Sequence, residues 1–392
     1  MTDFKAKSYG RNEEVASIFG HFNAGRDLSM PGPRRLGKSF TLKRLVDAGP
    51  EYGWTVVSVD VSKCSDVRTV FRELCRAISS SKSVGENTLG WIQQRLGQVL
   101  TPRAEFRGPW YAPFLGLDYE SWFERLIDAM EQDSQKWAIL IDELPIFLKG
   151  LHDKGETGVA EARNFMNLTS GLKQRSPSVR WLVTGSIGLD PLARAGNYVG
   201  VLAKYTVFQL LPLNDTQASD YLIDLATTGQ LEHRKEITNI EASTMLDAVG
   251  WNAPYYIDRL AQQLRGTPTH DVDEAKRLVK LAEDDLLKPV HASAFGISEE
   301  HLRKHYADPD RTIAFLALAA LANHTSGLPL NAILSIIADP NVTREKLRTI
   351  LQRLDTEGFV VVRDWDVHDI HCAFRNLLLR KWWKRYTPQP SA

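Results

Sequence analysis

The octapeptide Gly32-Pro33-Arg34-Arg35-Leu36-Gly37-Lys38-Ser39 restricts this chain more than any other feature. Its pattern, G-x-x-x-x-G-K-[ST], works only in one setting. The two glycines let the backbone curl so that successive N–H groups point inward at an anion. A strand must bring the chain to the loop and a helix must leave it, with the positive end of the helix facing the same anion. Both neighbours fit: Asp27 to Met30 is a brief apolar stretch, and Lys38 to Val46 has helical spacing. The binding segment therefore runs through Gly32, Pro33, Arg34, Arg35, Leu36, Gly37, Lys38, Ser39 and Phe40. Lys38 is placed to reach the β- and γ-phosphates of a nucleotide, and the Ser39 hydroxyl to ligate Mg²⁺. The cofactors expected are ATP and Mg²⁺.

A loop of this kind sits on a parallel sheet, whose strands are buried on both faces and read as nearly continuous apolar runs. Trp54 to Val61, Trp137 to Ile141 and Val179 to Thr184 read that way, and Tyr205 to Leu210 closes the series. Helical patterns at Glu13 to Phe22 and Val67 to Ile78 fall around them. The run Ile139-Leu140-Ile141 ends in Asp142-Glu143, two carboxylates at the strand end where an α/β sheet holds its ligand. Asp142 is expected to hold Mg²⁺ and Glu143 to polarise the attacking water as general base; with Lys38 they form the candidate catalytic set. Thr184 and Ser186, at the next strand end, are candidates for sensing the γ-phosphate.

Residues 80–118 break the rhythm and read as an insertion, with a helix at Leu89 to Leu100 and an aromatic, proline-rich stretch after it. After Leu213 the pattern is helical: Asp215 to Ala226, Ile240 to Val249, Pro254 to Gln263 and Val272 to Leu287. From Asp310, helices at 311–322, 328–337 and 343–357 precede a two-strand pattern and a last helix, Arg375 to Tyr386. Three helices and a hairpin make a winged-helix arrangement. The expected division is a core at 1–213, a helical lid with connecting helices at 214–309 and a winged helix at 310–392.

Composition excludes several classes. Lys+Arg and Asp+Glu are 48 each, so a chain that coats nucleic acid over its whole surface is not expected. Cys64, Cys75 and Cys372 are too few and too scattered for a disulfide framework or a zinc site. The N-terminus lacks a signal-like apolar region, and Ile313 to Ala322, the longest apolar run, is about half a membrane span. A cytoplasmic protein without membrane contact is expected.

Tyr9-Gly10-Arg11-x-x-Glu14, the doubled arginine of the phosphate loop, LIDEL at Leu140 to Leu144 and Thr184-Gly185-Ser186 resemble the archaeal-type ATPase family of the AAA+/STAND P-loop NTPases. The tail from Phe374 to Trp383 carries the same resemblance. It implies an α/β P-loop NTPase domain followed by a helical lid and a winged helix. It places Tyr9 and Arg11 near the adenine and Pro254 at a lid segment that touches nucleotide. Here Pro254 and the aromatic after it are kept, but the family's diglycine is not. The family's Gly-Arg before the last core strand is replaced by Ala203-Lys204, leaving Lys204 and Arg194 as weak substitutes for a trans-acting arginine. The resemblance also implies a homo-oligomer or a protein partner, with a role in DNA-related or defence processes.

From Asp310 onward eleven Lys/Arg face eight Asp/Glu, a net of +3. Arg344, Lys346 and Arg348 lie on the helix that would enter a DNA major groove. Basic residues around Trp382 and Trp383 would suit phosphate contact and base stacking, although the tryptophans would equally serve to anchor the last helix. Asp364, Asp366 and His368 read as the wing turn and its flank before they read as a metal site. The function expected is a Mg²⁺-ATP-driven switch acting through lid and winged helix. The alternatives are a nucleotide-loaded interaction module that does not hydrolyse, and a DNA-binding regulator with structural ATP.

Overall fold

The structure, a computed structural model, describes residues 11–79, 118–132, 135–291, 293–363 and 369–386. The expected insertion at 80–118, apart from Asp118, and Tyr9, Asp364, Asp366 and His368 lie outside the described residues.

The chain divides into two compact units. Among the described residues, the first comprises Arg11–Gly32 and Lys38–Leu210; the second comprises those from Leu211 onward together with the short segment Pro33–Gly37.

In the first unit α1 (Asn12–Asn23) leads to β1 (Leu28–Pro31), the phosphate loop and α2 (Lys38–Ala48). Then follow β2 (Trp54–Asp60), α3 (Val67–Ser79), α4 (Tyr119–Glu131), β3 (Lys136–Asp142), α5 (Leu144–His152) and α6 (Glu156–Arg175). The unit ends with β4 (Arg180–Gly185), α7 (Leu189–Gly196), α8 (Val199–Leu202) and β5 (Thr206–Val207). The five strands are parallel in the order β2-β3-β4-β1-β5. The loop strand β1 therefore lies beside β4, and β4 beside β3. Met30 pairs with Thr184 and Ile141 with Val183, so the ends of the three strands are level. Burial on both faces explains the apolar runs: every residue of β4 is buried, and all of β3 after Lys136.

The strand expected at Tyr205 to Leu210 shrinks to Thr206–Val207. Pairing with β1 ends once the Phe208 N–H reaches the Ser29 carbonyl at 2.8 Å.

The second unit contains α9 (Asp215–Thr227), α10 (Asn239–Val249), α11 (Pro254–Ala261), α12 (Val272–Leu286) and α13 (Ser293–His305). It continues with α14 (Asp310–Ala322), β6 (Leu328–Pro329), α15 (Leu330–Ile337), α16 (Arg344–Thr356), β7 (Val360–Arg363), β8 (His371–Phe374) and α17 (Leu377–Tyr386). Capping boxes start α9 at Asn214 and α10 at Thr238, and Pro254 opens α11. The last seven elements form three helices, a terminal helix and an antiparallel sheet ordered β6-β8-β7, which fits a winged helix. The strand β6 was not expected; it took the first two residues of the predicted 328–337 helix, because the residue before a proline is pushed to extended backbone and Pro329, itself extended at ψ 152°, pairs with His371 of β8.

Trp382 and Trp383 are buried, packing against Phe295 and against Phe315, Phe359 and Phe374. This removes the base-stacking expectation: both rings are core. α17 also ties back to the helices before α14. Lys381 pairs with Glu283, and the Tyr386 hydroxyl donates to the Leu287 carbonyl at 2.5 Å.

Candidate active site

At the level strand ends three short segments converge. After β1 the chain enters the phosphate loop, where Gly37 takes φ 97° and Arg35 φ 72°. Gly37 is suited to that left-handed turn; Arg35, which carries a side chain, is held in it against its preference. The Gly32 N–H donates to the Gly185 carbonyl at 3.2 Å and pins the loop start to β4. The next residues open α2, with Lys38 as its first residue. The Lys38 ammonium is buried and donates to the Gly32 carbonyl at 2.6 Å, so it lies folded back across its own loop. Phe40 is half-buried two residues on.

Asp142 is the last residue of β3 and is buried. One carboxylate oxygen accepts the Ser39 hydroxyl at 2.6 Å, and the other accepts the Thr184 hydroxyl. Glu143 follows at φ 57° and ψ 34°, a left-handed residue that turns the chain off the strand into α5. Its carboxylate accepts the Ser186 N–H at 3.0 Å and the Ser186 hydroxyl at 2.9 Å. The two acids of one strand end are thus held by two residues of the next, Asp142 by Thr184 and Glu143 by Ser186. A strained backbone at a site of this kind is stable only because its surroundings over-determine it.

Between Thr184 and Ser186 lies Gly185, which sequence reasoning did not single out. A Cβ there would sit 2.2 Å from Pro145 Cγ. The close passage of β4 over the start of α5 therefore requires glycine, and it sets how near Ser186 comes to Glu143. A strand ending in T-G-S carries that signal only once the opposing proline is known.

The donor set fits Mg²⁺ and a nucleotide. Asp142 is a buried carboxylate that meets only hydroxyls: among the described residues no lysine or arginine is paired with it. Carboxylate and hydroxyl oxygens suit a hard cation such as Mg²⁺. Beside them the Lys38 ammonium donates to the Gly32 carbonyl.

None of these hydrogen bonds involves the other expected residues. Arg11 is buried in the first unit and forms an ion pair with Glu14 at 2.7 Å. Pro254 is the first residue of α11, in the second unit. Lys204 is exposed and donates to the Ser170 hydroxyl at 2.8 Å, and Arg194 is exposed on α7. On α16, Arg348 is exposed and Lys346 pairs with Asp310 at 2.5 Å; Arg344 lies one helical turn before Arg348. Burial pushes the Cys75 and Cys372 thiols up to about 12 and Cys64 to about 11, so none offers a thiolate nucleophile at neutral pH. Among the described residues there is no metal-ligating cluster of histidine, cysteine and carboxylates, and no helix is long and apolar enough to cross a membrane.

No protein-family model matches the chain, and no curated protein does. Solved structures do. The Walker-type ATPase PABY2304 of Pyrococcus abyssi superposes with a TM-score of 0.64 at 15% identity, over 96% of each chain. The ORC2 protein of Aeropyrum pernix, in ADPNP-ADP complexes, superposes with a TM-score of 0.55 at 12% identity, over 96% of this chain and 92% of its own. At such identities the likeness is one of fold: the chain has the fold of the archaeal Walker-type and ORC ATPases, the AAA+ P-loop fold that its motifs led one to expect.

Proposed function

We propose that the chain is a Mg²⁺-dependent ATPase that works as a molecular switch. One observation carries the reading: Lys38, Ser39, Asp142, Glu143, Thr184 and Ser186 meet at the ends of three adjacent parallel strands. The nucleotide bound by A. pernix ORC2 agrees with it. Bound Mg²⁺ supplies charge neutralisation at the β- and γ-phosphates. The backbone N–H groups of residues 34–40 would cradle the phosphates, and Lys38 would swing from the Gly32 carbonyl onto them. Ser39 and Asp142, hydrogen-bonded to each other at 2.6 Å, are the residues that would hold the ion. Thr184 fixes the Asp142 carboxylate in orientation. Glu143, released from Ser186, accepts a proton from the attacking water. Arg11, with Tyr9, borders the adenine, and Pro254 is the lid contact.

The division into a core at 1–213, a lid at 214–309 and a winged helix at 310–392 belongs to the same reading. The nucleotide state would set the posture of the last two and so control assembly into a homo-oligomer or contact with a partner. Arg344, Lys346 and Arg348 offer a surface for duplex DNA.

Replacing Glu143 with alanine tests the hydrolytic role. Turnover of ATP should fall by about 10²-fold or more, the usual worth of a general base, while nucleotide affinity changes little. Unchanged turnover in Glu143→Ala would reject the role assigned to Glu143, and absence of turnover in the unaltered protein would leave a nucleotide-loaded interaction module. Mass measurement with and without a non-hydrolysable ATP analogue tests the assembly step; an unchanged mass removes it.

A further inference from the structure

The tip of the phosphate loop, Pro33–Gly37, clusters with the second unit. Two contacts within that unit involve this tip. The Arg35 guanidinium lies over the Tyr255 ring, its Cζ 3.9 Å from the centroid. Pro33 packs on Gly358, the turn residue between α16 and β7, so closely that a Cβ on Gly358 would stand 2.4 Å from Pro33 Cβ. Gly358 itself takes φ 87°. Tyr255 is in turn fixed: it follows Pro254 in the first turn of α11, and its hydroxyl donates to the Ala294 carbonyl at 3.1 Å. A second guanidinium, Arg259, approaches the same ring at 5.2 Å.

Arg35 is the one side-chain-bearing residue of the loop with a left-handed backbone, at φ 72°. A non-glycine residue stays there only if something holds it. An arginine plane stacked on an aromatic face is such a hold, and it commits the guanidinium to the ring. In a loop next to phosphates, an arginine would ordinarily be assigned to the phosphates.

We propose that Arg35 is a positioning residue. Its stack on Tyr255, with Pro33 on Gly358 as the second fixed point, holds residues 33–37 in the curled shape that presents the N–H groups of residues 34–37. The inference rests on the phosphate loop binding ATP, as argued above. Coupling of this kind is reciprocal: if the stack favours nucleotide binding, nucleotide binding steadies α11 by the same factor. Pro254 and Tyr255 thereby form the route by which an occupied loop is felt at α11.

The test measures affinity for a fluorescent ATP analogue and amide hydrogen exchange over residues 254–261, with folding checked by circular dichroism. Tyr255→Leu and Arg35→Ala should each weaken binding by about tenfold, the order of one good cation–π contact. The double variant should be no weaker than either single one, because both remove the same interaction. Tyr255→Phe keeps the ring and should stay within about twofold of the unaltered protein. Arg35→Gly should recover part of what Arg35→Ala loses, since glycine adopts the left-handed turn unaided. Exchange over 254–261 should slow on nucleotide binding in the unaltered protein and not in Tyr255→Leu. Three results would overturn the proposal: Arg35→Ala weak while Tyr255→Leu binds normally, additive losses in the double variant, or Arg35→Gly as weak as Arg35→Ala. Each would make Arg35 a direct phosphate ligand or the stack inconsequential. Failure of the unaltered protein to bind ATP would instead remove the functional reading beneath it.

Discussion

Gly185 shows how much a single residue decides at this site. It lies between Thr184 and Ser186, which hold Asp142 and Glu143 respectively. An alanine there would bring its Cβ to 2.2 Å from Pro145 Cγ, and both Pro145 and β4 are in fixed backbone, so the strand end must shift. Overpacking of this kind costs about 1–3 kcal/mol. The same change should also impair function, because the shift carries Ser186 away from Glu143 and the Thr184 hydroxyl away from Asp142. Gly185→Ala is expected to lower the denaturation midpoint modestly and to cut ATP turnover by about tenfold or more, a loss equivalent to about 1.4 kcal/mol in the transition state. A variant with unaltered stability and turnover would show that the passage between β4 and α5 is slack. The same neighbourhood marks the limit of sequence reading at this scale. Lys38, Ser39, Asp142 and Glu143 are legible because local motifs carry them. Thr184 and Ser186 were alternatives for one role, whereas in the fold they serve different carboxylates. Arg35 and Tyr255 carry no joint signal, since nothing local links residues so distant in the chain.

Among the elements, caps are the devices whose energy can be predicted. Asp66 stands just before α3, and its carboxylate accepts the Thr69 N–H at 2.7 Å and the Ser65 hydroxyl at 2.8 Å. Burial raises its pKa, but these hydrogen bonds and Lys154 lower it by more, so that it ends below the ordinary 3.8. With the native value below the unfolded one, the unfolded chain takes up the proton first as the pH falls. The stabilisation is therefore complete above the unfolded value and disappears as the pH drops through the lowered native one. Asp66→Ala should cost about 1 kcal/mol at neutral pH. Denaturant titrations of both proteins should show that difference unchanged from pH 8 to about pH 5 and shrinking below the unfolded aspartate value of about 4. A gap that persists at low pH would mean the carboxylate charge is not what the cap uses. Helices of this capped, amphipathic sort were readable from sequence, as α9, α10, α12 and α16 show. Three of those that went unread break the periodicity for physical reasons. α5, LPIFLKGLH, is apolar around most of its circumference and buries five of its residues, so no single stripe stands out. α6 buries Thr169, Ser170 and Lys173 along with Phe165 and Met166, so polar letters occupy its inward face. Lys173 is tolerated there because it pairs with Asp27 at 3.0 Å and lies over the Tyr205 ring. α13 likewise buries His301 and His305, with His301 bonded to Glu357 at 2.9 Å. Periodicity reports burial only where the buried side chains are apolar.

For the molecule as a whole, the balance of 48 basic and 48 acidic residues limits any contact with DNA. The excess of +3 from Asp310 onward overstates the available charge, because much of it is already committed. Arg353 bonds Glu357 at 3.0 Å, Arg375 pairs with Asp355, Lys381 pairs with Glu283, and Lys346 reaches Asp310 at 2.5 Å. On α16 Arg348 is exposed, Arg344 lies a turn away, and Lys346 would reach a phosphate only by breaking its ion pair. Two or three phosphate contacts are then the most the helix makes. Each neutralised phosphate contributes about −0.9 to the slope of log affinity against log salt. If the winged helix meets duplex DNA, the slope should be about −2 to −3, a loss of about 10- to 40-fold between 50 and 200 mM salt. Replacing Arg344 and Arg348 with alanine should flatten the slope by about two. A steeper slope, near −6, would place the contact on some other basic surface and strip α16 of its role. No binding at 50 mM salt would remove DNA from the proposal altogether, and the switch would then act through protein partners.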